Sequence, residues 1–202
     1  MELYYAPGAC SLSPHIALRE AGLPVTLKKV NLATKEVEGG GSFLDVNGKG
    51  SVPALKLADG HVLTEGPAIV QYIADHKPES GLAPKAGTIE RYKLQEALNF
   101  ITSELHKPIG SMFNKAQSAD WRAAVEKKLE ANLTWLTAQL GAKSYLAGDR
   151  FSVADGYLFT VLNWTKMVGF DLARWPALVA FQGRVGARPK VQEALRAEGL
   201  MK

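Results

Sequence analysis

The sequence predicts two units in one chain, a small α/β unit over residues 1–80 and an all-helical unit over residues 88–202, joined through 81–87. Three observations carry this reading. Strand signals, meaning short alternating runs bounded by turn residues, occur before residue 65 and then stop, giving way to long amphipathic stretches. Pro78, Gly81, Pro84 and Gly87 cluster in between, a composition suited to a linker. The charge balance also changes there: residues 1–80 carry 7 basic and 9 acidic side chains and the remainder 17 and 11, so the halves are −2 and +6.

The elements follow in order. Residues 2–6 read as a strand with Leu3 and Tyr5 on one side, ended by Pro7-Gly8. Ser11 or Ser13 can cap a helix with Pro14 in its first turn, and Ile16, Ala17, Leu18 and Ala21 form its apolar set before a stop at Gly22. Residues 25–32 give a second strand, and 33–50 a polar stretch around Gly39-Gly40-Gly41. Residues 54–58 and 61–64 flank Asp59-Gly60 and read as a hairpin with a two-residue turn. After Gly66-Pro67, Ile69, Val70, Ile73 and Ala74 recur at helical spacing as far as His76. That order describes a parallel βαβ pair extended by an antiparallel hairpin. Beyond the linker, helices are predicted at 89–113, 119–140, 153–168, 176–187 and 189–197. Ser152 and Asp155 fit a capping box ahead of Tyr157, Leu158, Val161 and Leu162, which makes Asp155 structural.

Composition excludes several classes. With 47% hydrophobic and 22% charged residues the chain is neither disordered nor collagenous. No apolar run reaches the ~18 residues of a membrane span, and MELYYAPGAC lacks both the basic and the apolar region of a leader, so a soluble, cytoplasmic protein with no membrane partner is expected. The basic excess is interleaved with Glu and Asp, which favours a solvated surface or a small anionic ligand over nucleic acid. One cysteine allows no intramolecular disulfide and no CxxC site, and no HExxH spacing occurs, so no metal is expected.

Cys10 lies between the first strand and the first helix, where N–H groups and the helix dipole favour an anion, so a stabilised thiolate is expected; the plain alternative is an inert core thiol. Cys10-Ser11-Leu12-Ser13 has a hydroxyl where a dithiol enzyme carries its resolving Cys, so a redox cycle would need a second thiol from a small molecule. Pro53 reads either as a strand start or as a cis-proline that turns the Val52 backbone toward the Cys10 loop. Thr64-Glu65-Gly66-Pro67 opens a helix whose free N–H groups and neighbouring carboxylate suit a ligand carrying both carboxylate and ammonium, or serve as a simple cap. Lys35 reads as a solvated lysine. Asn99, Ser103 and His106 fall near one helical face, with Glu104 and Lys107 adjacent.

Taken together, LYYAPGACSLSPHIALREAGL, GSVPAL, LTEGPAIVQYIAD, LNFITSELHK and FSVADGYLF resemble the cytosolic glutathione transferases of the bacterial beta class, from one end of the chain to the other. The resemblance implies a thioredoxin-like N-terminal domain, an all-α C-terminal domain, a homodimer, and glutathione as co-substrate for conjugation to small hydrophobic electrophiles. Through it Cys10 matches the active-site cysteine facing the glutathione sulfur, with a thiol-transfer or dehalogenation route through that cysteine as a variant. Lys35 matches a contact to the glycyl end, and Val52 before Pro53 the backbone partner of the cysteinyl unit. Glu65-Gly66 matches the γ-glutamyl anchor, with Gly66 standing where many relatives have Ser. Asn99, Ser103, Glu104, Leu105 and His106 match the helical contribution, with His106 near the sulfur and some contacts crossing the dimer interface. Many transferase classes use a Tyr or Ser hydroxyl instead, for which Tyr4, Tyr5 and Ser11 are at hand. Phe100, Ile101, Leu105, Met112 and Phe113 give the long helix apolar surface for a second subunit. A non-catalytic glutathione-dependent ligand carrier of the same fold is the alternative reading.

Overall fold

Alternation along the first strand sorts the N-terminal unit into two faces. In the computed structural model, which describes residues 1–201, β1 (Glu2–Tyr5) is central in a sheet of order β2-β1-β3-β4. β2 (Thr26–Lys29) pairs with it in parallel, Leu3 opposite Leu27, and β3 (Ala54–Lys56) antiparallel, Leu3 opposite Leu55. β4 (Val62–Thr64) completes the hairpin. Parallel pairing needs a crossover, and α1 (Leu12–Glu20) supplies it. Leu3, Tyr5 and Leu55 join the main core with α1 and with α2 (Gly66–His76), while Tyr4, Ala6 and Ala54 face the other way onto Val30, Phe43 and Val52. The stretch 33–50 is folded around that second cluster: Phe43 is fully buried, and bridges Val30–Val37 and Glu36–Ser42 tie the chain down.

Two local expectations change. The hairpin turns through three residues, because Leu57 N–H already bonds His61 O, and Gly60 at φ 89 takes the left-handed position that a type I turn plus bulge requires. Neither candidate serine caps α1 through its side chain: Ser11 has a helical backbone, and its Oγ instead donates to Ala6 O and accepts from Ala6 N–H.

The helical unit runs α3 (Ile89–Phe100), α4 (Lys107–Ser111), α5 (Ala119–Leu140), α6 (Val153–Met167), α7 (Pro176–Gly186) and α8 (Pro189–Ala197). The single helix predicted over 89–113 is broken by a wide π-turn at Ile101–His106. Its cause is Pro108, which has no N–H for Glu104 O and whose ring would clash one turn back. The backbone widens, Lys107 N–H reaches back to Thr102 O, and Asn132 Nδ2 on α5 donates to the orphaned Glu104 O at 3.0 Å. The spare apolar surface expected along this helix is also largely consumed. Ile101, Leu105 and Met112 lie in the subunit's own core, Phe100 packs on Trp135, and Phe113 alone of the five is exposed.

The two units share one core. α1 packs against α6 and α8, and Gly156 permits the approach: a Cβ there would stand 3.3 Å from Ile16 Cγ2. Buried Arg91 on α3 binds Asp75 and Gln71 of α2 and the Pro84 carbonyl. Trp164 Nε1 on α6 donates to Gly8 O at 2.8 Å, and Gly8 N–H donates to Glu198, just past α8, at 2.9 Å. No helix among the described residues is long and apolar enough to cross a membrane.

Asp155, fully buried, accepts hydrogen bonds from Ser152 N–H, Ser152 Oγ and Leu146 N–H, each at 2.7–2.8 Å. Burial raises its pKa against the pull of those donors. Asp155→Ala leaves the buried Ser152 N–H and the part-buried Leu146 N–H unpaired and uncaps α6, and is expected to cost about 3 kcal/mol in urea unfolding. A loss below about 0.5 kcal/mol would contradict the role, being the size of an ordinary surface substitution.

Candidate active site

Where the α/β unit meets the helical unit, a cleft of about 730 Å³ opens, within the ~300–1,000 Å³ range of small-molecule sites. Its floor is the Pro7–Cys10 loop, held by the two bonds to Gly8. Its two ends differ in chemistry.

The α/β end is polar. Lys35 takes a left-handed backbone (φ 62), and its Nζ donates to Gly50 O at 2.9 Å. Glu65, immediately before α2, holds a second left-handed non-glycine position (φ 69), a strain of the kind that clusters at ligand sites. Its carboxylate pairs with Lys49, whose Nζ also donates to Thr64 Oγ1 at 2.8 Å. Both charged groups are more than half exposed, so the pair adds little to stability and stays available to a ligand. Val52 and Pro53 are buried in the wall, their peptide bond is cis, and Val52 O accepts the Cys10 thiol at 3.2 Å.

The helical end is apolar. Phe113, Tyr157, Trp164 and Met167 line it, with Thr102, His106, Lys107 and Gly110. His106 packs edge-on against Trp164, centroids 4.8 Å apart, and its Nδ1 lies 2.6 Å from Tyr157 Oη.

Cys10 stands where the ends meet, but not as the expected thiolate. Burial pushes its thiol up to about 11, outweighing the N–H groups of Cys10 and Ser11 that favour the anion, and Glu65 raises it further. The helix terminus is present; desolvation wins. His106 is likewise neutral: burial lowers it to about 4, helped by Lys107 and opposed by Glu65. Burial also raises Tyr157 well above the ordinary phenol range. The alternative hydroxyls are committed elsewhere, Ser11 to Ala6 and Tyr4 toward Glu2, while Tyr5 packs beside His15.

Cys10, Lys35, Val52, Pro53, Glu65, Gly66 and His106 therefore line one cleft. Asn99, Ser103, Glu104 and Leu105 do not. Asn99 and Ser103 are exposed, Leu105 is in the core, and Glu104 is held by Lys128 and Asn132, with Lys128 drawing its pKa down. The expected shared face of Asn99, Ser103 and His106 fails because the π-turn rotates His106 away from the other two. Sequence reasoning missed Lys49, Thr102, Tyr157 and Trp164. Pro108 could have signalled the turn; Tyr157 and Trp164 sat in runs that read simply as core.

Comparison with known proteins agrees with this geometry. Residues 8–76 match the family model "Glutathione S-transferase, N-terminal domain" and residues 119–184 the corresponding C-terminal domain. The chain is 45% identical to "Glutathione S-transferase GstA" of Escherichia coli O157:H7, over 99% of this chain and all of the relative. Among solved structures it is 58% identical to a bacterial protein described as a ternary complex of BphK, with TM-score 0.97 over 99% of this chain and all of the other. A sphingomonad glutathione S-transferase complexed with glutathione is 48% identical, with TM-score 0.94 over 99% and 100% of the two chains.

A thiol at about 11 leaves roughly one molecule in ten thousand as thiolate at pH 7. Iodoacetamide should therefore label Cys10 about a hundredfold more slowly than free cysteine at pH 7, with a rate rising about tenfold per pH unit up to pH 10. Mass spectrometry reads the adduct without competition, as no other cysteine is present. Labelling as fast as free cysteine would restore the thiolate.

Proposed function

The chain belongs to the glutathione S-transferase family, and from that premise we propose that its cleft conjugates the glutathione thiolate to small hydrophobic electrophiles. One observation carries this reading: a single cleft joins a polar, charge-bearing end to an apolar, aromatic end, with Cys10 and His106 at the junction. In this reading Glu65 takes the γ-glutamyl ammonium in exchange for Lys49, and Lys35 takes the glycyl carboxylate. Val52 pairs with the cysteinyl backbone, which sets the glutathione sulfur beside Cys10. The aromatic end holds the electrophile with its reacting carbon toward that sulfur.

Cys10 then serves as an S–H donor to the bound thiolate, and His106 as a neutral N–H donor. Lowering the glutathione thiol by ~2 pKa units corresponds to about 2.7 kcal/mol. Two hydrogen bonds to a charged acceptor, about 1.5–3 kcal/mol each, supply that much. The raised pKa of Cys10 weighs against the variant in which Cys10 is itself the nucleophile for thiol transfer.

The active unit in this proposal is a homodimer. Ile89 and Tyr92 on α3 and Trp135 on α5 are large apolar side chains left exposed, and Asn99 on α3 and Ser103 in the π-turn that follows it lie exposed, off their own cleft. In this reading they serve a partner's cleft. Sedimentation at micromolar concentration should give twice 21.8 kDa; a monomer would remove this part of the reading.

Turnover of a chromogenic aryl halide with glutathione tests the function. Binding of the halide without turnover would favour a ligand carrier. Gly66 offers a finer test, since a Cβ there would meet Pro53 Cγ alone, at 4.0 Å. Gly66→Ser should fit and add a hydroxyl beside Glu65, lowering KM for glutathione by about two- to tenfold, the equivalent of one hydrogen bond. An unchanged or higher KM would move the γ-glutamyl anchor elsewhere.

A further inference from the structure

We propose that Tyr157 is a positioning residue for His106: its phenol donates to Nδ1, confines the imidazole proton to Nε2, and so presents an N–H donor to the cleft. The catalytic consequence rests on the transferase reading above; the proton assignment rests on geometry.

The assignment follows from counting hydrogens. Tyr157 Oη has two polar neighbours, His106 Nδ1 at 2.6 Å and Thr102 Oγ1 at 3.4 Å. Thr102 spends its own proton on Leu98 O at 2.8 Å, so it has none to give the phenol. If Nδ1 carried the hydrogen, the phenol proton would be left with the 3.4 Å contact, too long to satisfy a buried hydroxyl. With Nδ1 bare, the phenol donates across 2.6 Å and both hydroxyl hydrogens have a short acceptor. His106 Nε2 makes no hydrogen bond within the described residues, so its N–H remains for a ligand. The ring is also fixed in place. Trp164 meets it edge-on and is itself tied to Gly8 O, and Gly110, one turn along, sets only its backbone beside the ring: a Cβ there would stand 3.8 Å from His106 Cδ2. Nothing here makes Tyr157 itself a proton donor to substrate: it is 2% exposed and acts through the imidazole.

A phenol that donates to Nδ1 stabilises the neutral imidazole, so its removal should raise the pKa of His106 from about 4. The charged and titratable groups that act on His106 or on its phenol partner are Lys107 next to it in the chain, Glu65 before α2 and Cys10 before α1, with Tyr157 itself on α6. Tyr157→Phe changes just one of them.

The test combines ¹⁵N NMR of the full-length protein, with His106 assigned by comparison with His106→Asn, and steady-state conjugation of glutathione to an aryl halide. Wild-type protein at pH 7 should show His106 protonated at Nε2 and bare at Nδ1. Tyr157→Phe should show a tautomer mixture and a higher His106 pKa. Its kcat should fall about tenfold, the scale on which outer hydrogen bonds to imidazoles act, while KM for glutathione stays within about twofold. A hydrogen on Nδ1 in the wild type overturns the proposal without any variant, so a poorly folded Tyr157→Phe cannot shelter it. An unchanged tautomer and kcat in the variant also overturn it. Failure of the transferase reading would appear separately, as absence of turnover by wild-type protein whatever its tautomer.

Discussion

The Gly8 peptide groups are gripped from the helical unit on both sides. Trp164 donates to the carbonyl, Glu198 accepts from the N–H, and Leu200 lies 3.5 Å from where a Gly8 side chain would begin. Gly8 takes φ 71, a conformation that costs glycine nothing. Everything at the site depends on this grip. It fixes the loop that carries Cys10 against the helices that carry His106 and Tyr157, across a boundary where side-chain packing alone would tolerate sliding. The residues behind it are buried and paired in turn. Glu198 Oε1 meets His15 Nδ1 at 2.8 Å, and His15 Nε2 accepts from Arg19 at 3.3 Å. A bidentate carboxylate thus spans from the C-terminal end of α8 to the floor of the cleft, and a shift of α8 would be felt at the loop that carries Cys10.

The sequence was informative wherever a local rule had one solution. Alternation in residues 2–6, the Pro7-Gly8 stop and the hairpin signal gave the sheet, because period-two burial leaves little choice of face. The Ser152–Asp155 pair gave the start of α6 for the same reason. It failed where the outcome was a balance between opposing effects. At Cys10 the helix terminus and burial push in opposite directions, and the size of the burial effect depends on Val52 and Pro53 lying across the thiol, some forty residues along the chain. At 101–106 the local sequence is a good helix, and Pro108 alone announces the wide turn. Reading that proline would have separated His106 from Asn99 and Ser103. Tyr157 was unreadable in a different way: inside Tyr157, Leu158, Val161, Leu162 nothing distinguishes a core aromatic from one whose hydroxyl meets a histidine 51 residues earlier.

The cleft places little formal charge where its two ends meet. Lys35, Lys49, Lys107 and Glu65 stand around the rim, while the groups closest to the junction, Cys10, His106 and Tyr157, are all held neutral by burial. For a site proposed to receive both an anionic peptide and an apolar electrophile this has a physical logic. An imidazolium beside the apolar end would have to be desolvated whenever the electrophile entered, at several kcal/mol. A neutral N–H or S–H donor carries a much smaller desolvation cost and still strengthens when an anion arrives, since a hydrogen bond to a charged acceptor is roughly twice as strong as a neutral one.

In the proposed conjugation, that choice also bears on the rate of the chemical step. A cationic donor would hold the thiolate most tightly, but binding energy spent on the ground-state anion must be given up as the sulfur loses charge to the electrophile. In the proposed reading, weak donors lower the thiol pKa enough to populate the anion near neutrality without burying its nucleophilicity. The arrangement then needs geometry in place of charge, and the molecule supplies it: the Gly8 grip for the Cys10 loop, the π-turn and Asn132 for the backbone under His106, and Trp164 with Tyr157 for the ring itself. Apart from the buried Glu198 carboxylate that accepts from Gly8 N–H, each of these is a neutral hydrogen bond or a packing contact, and none places an ion at the junction of the two ends.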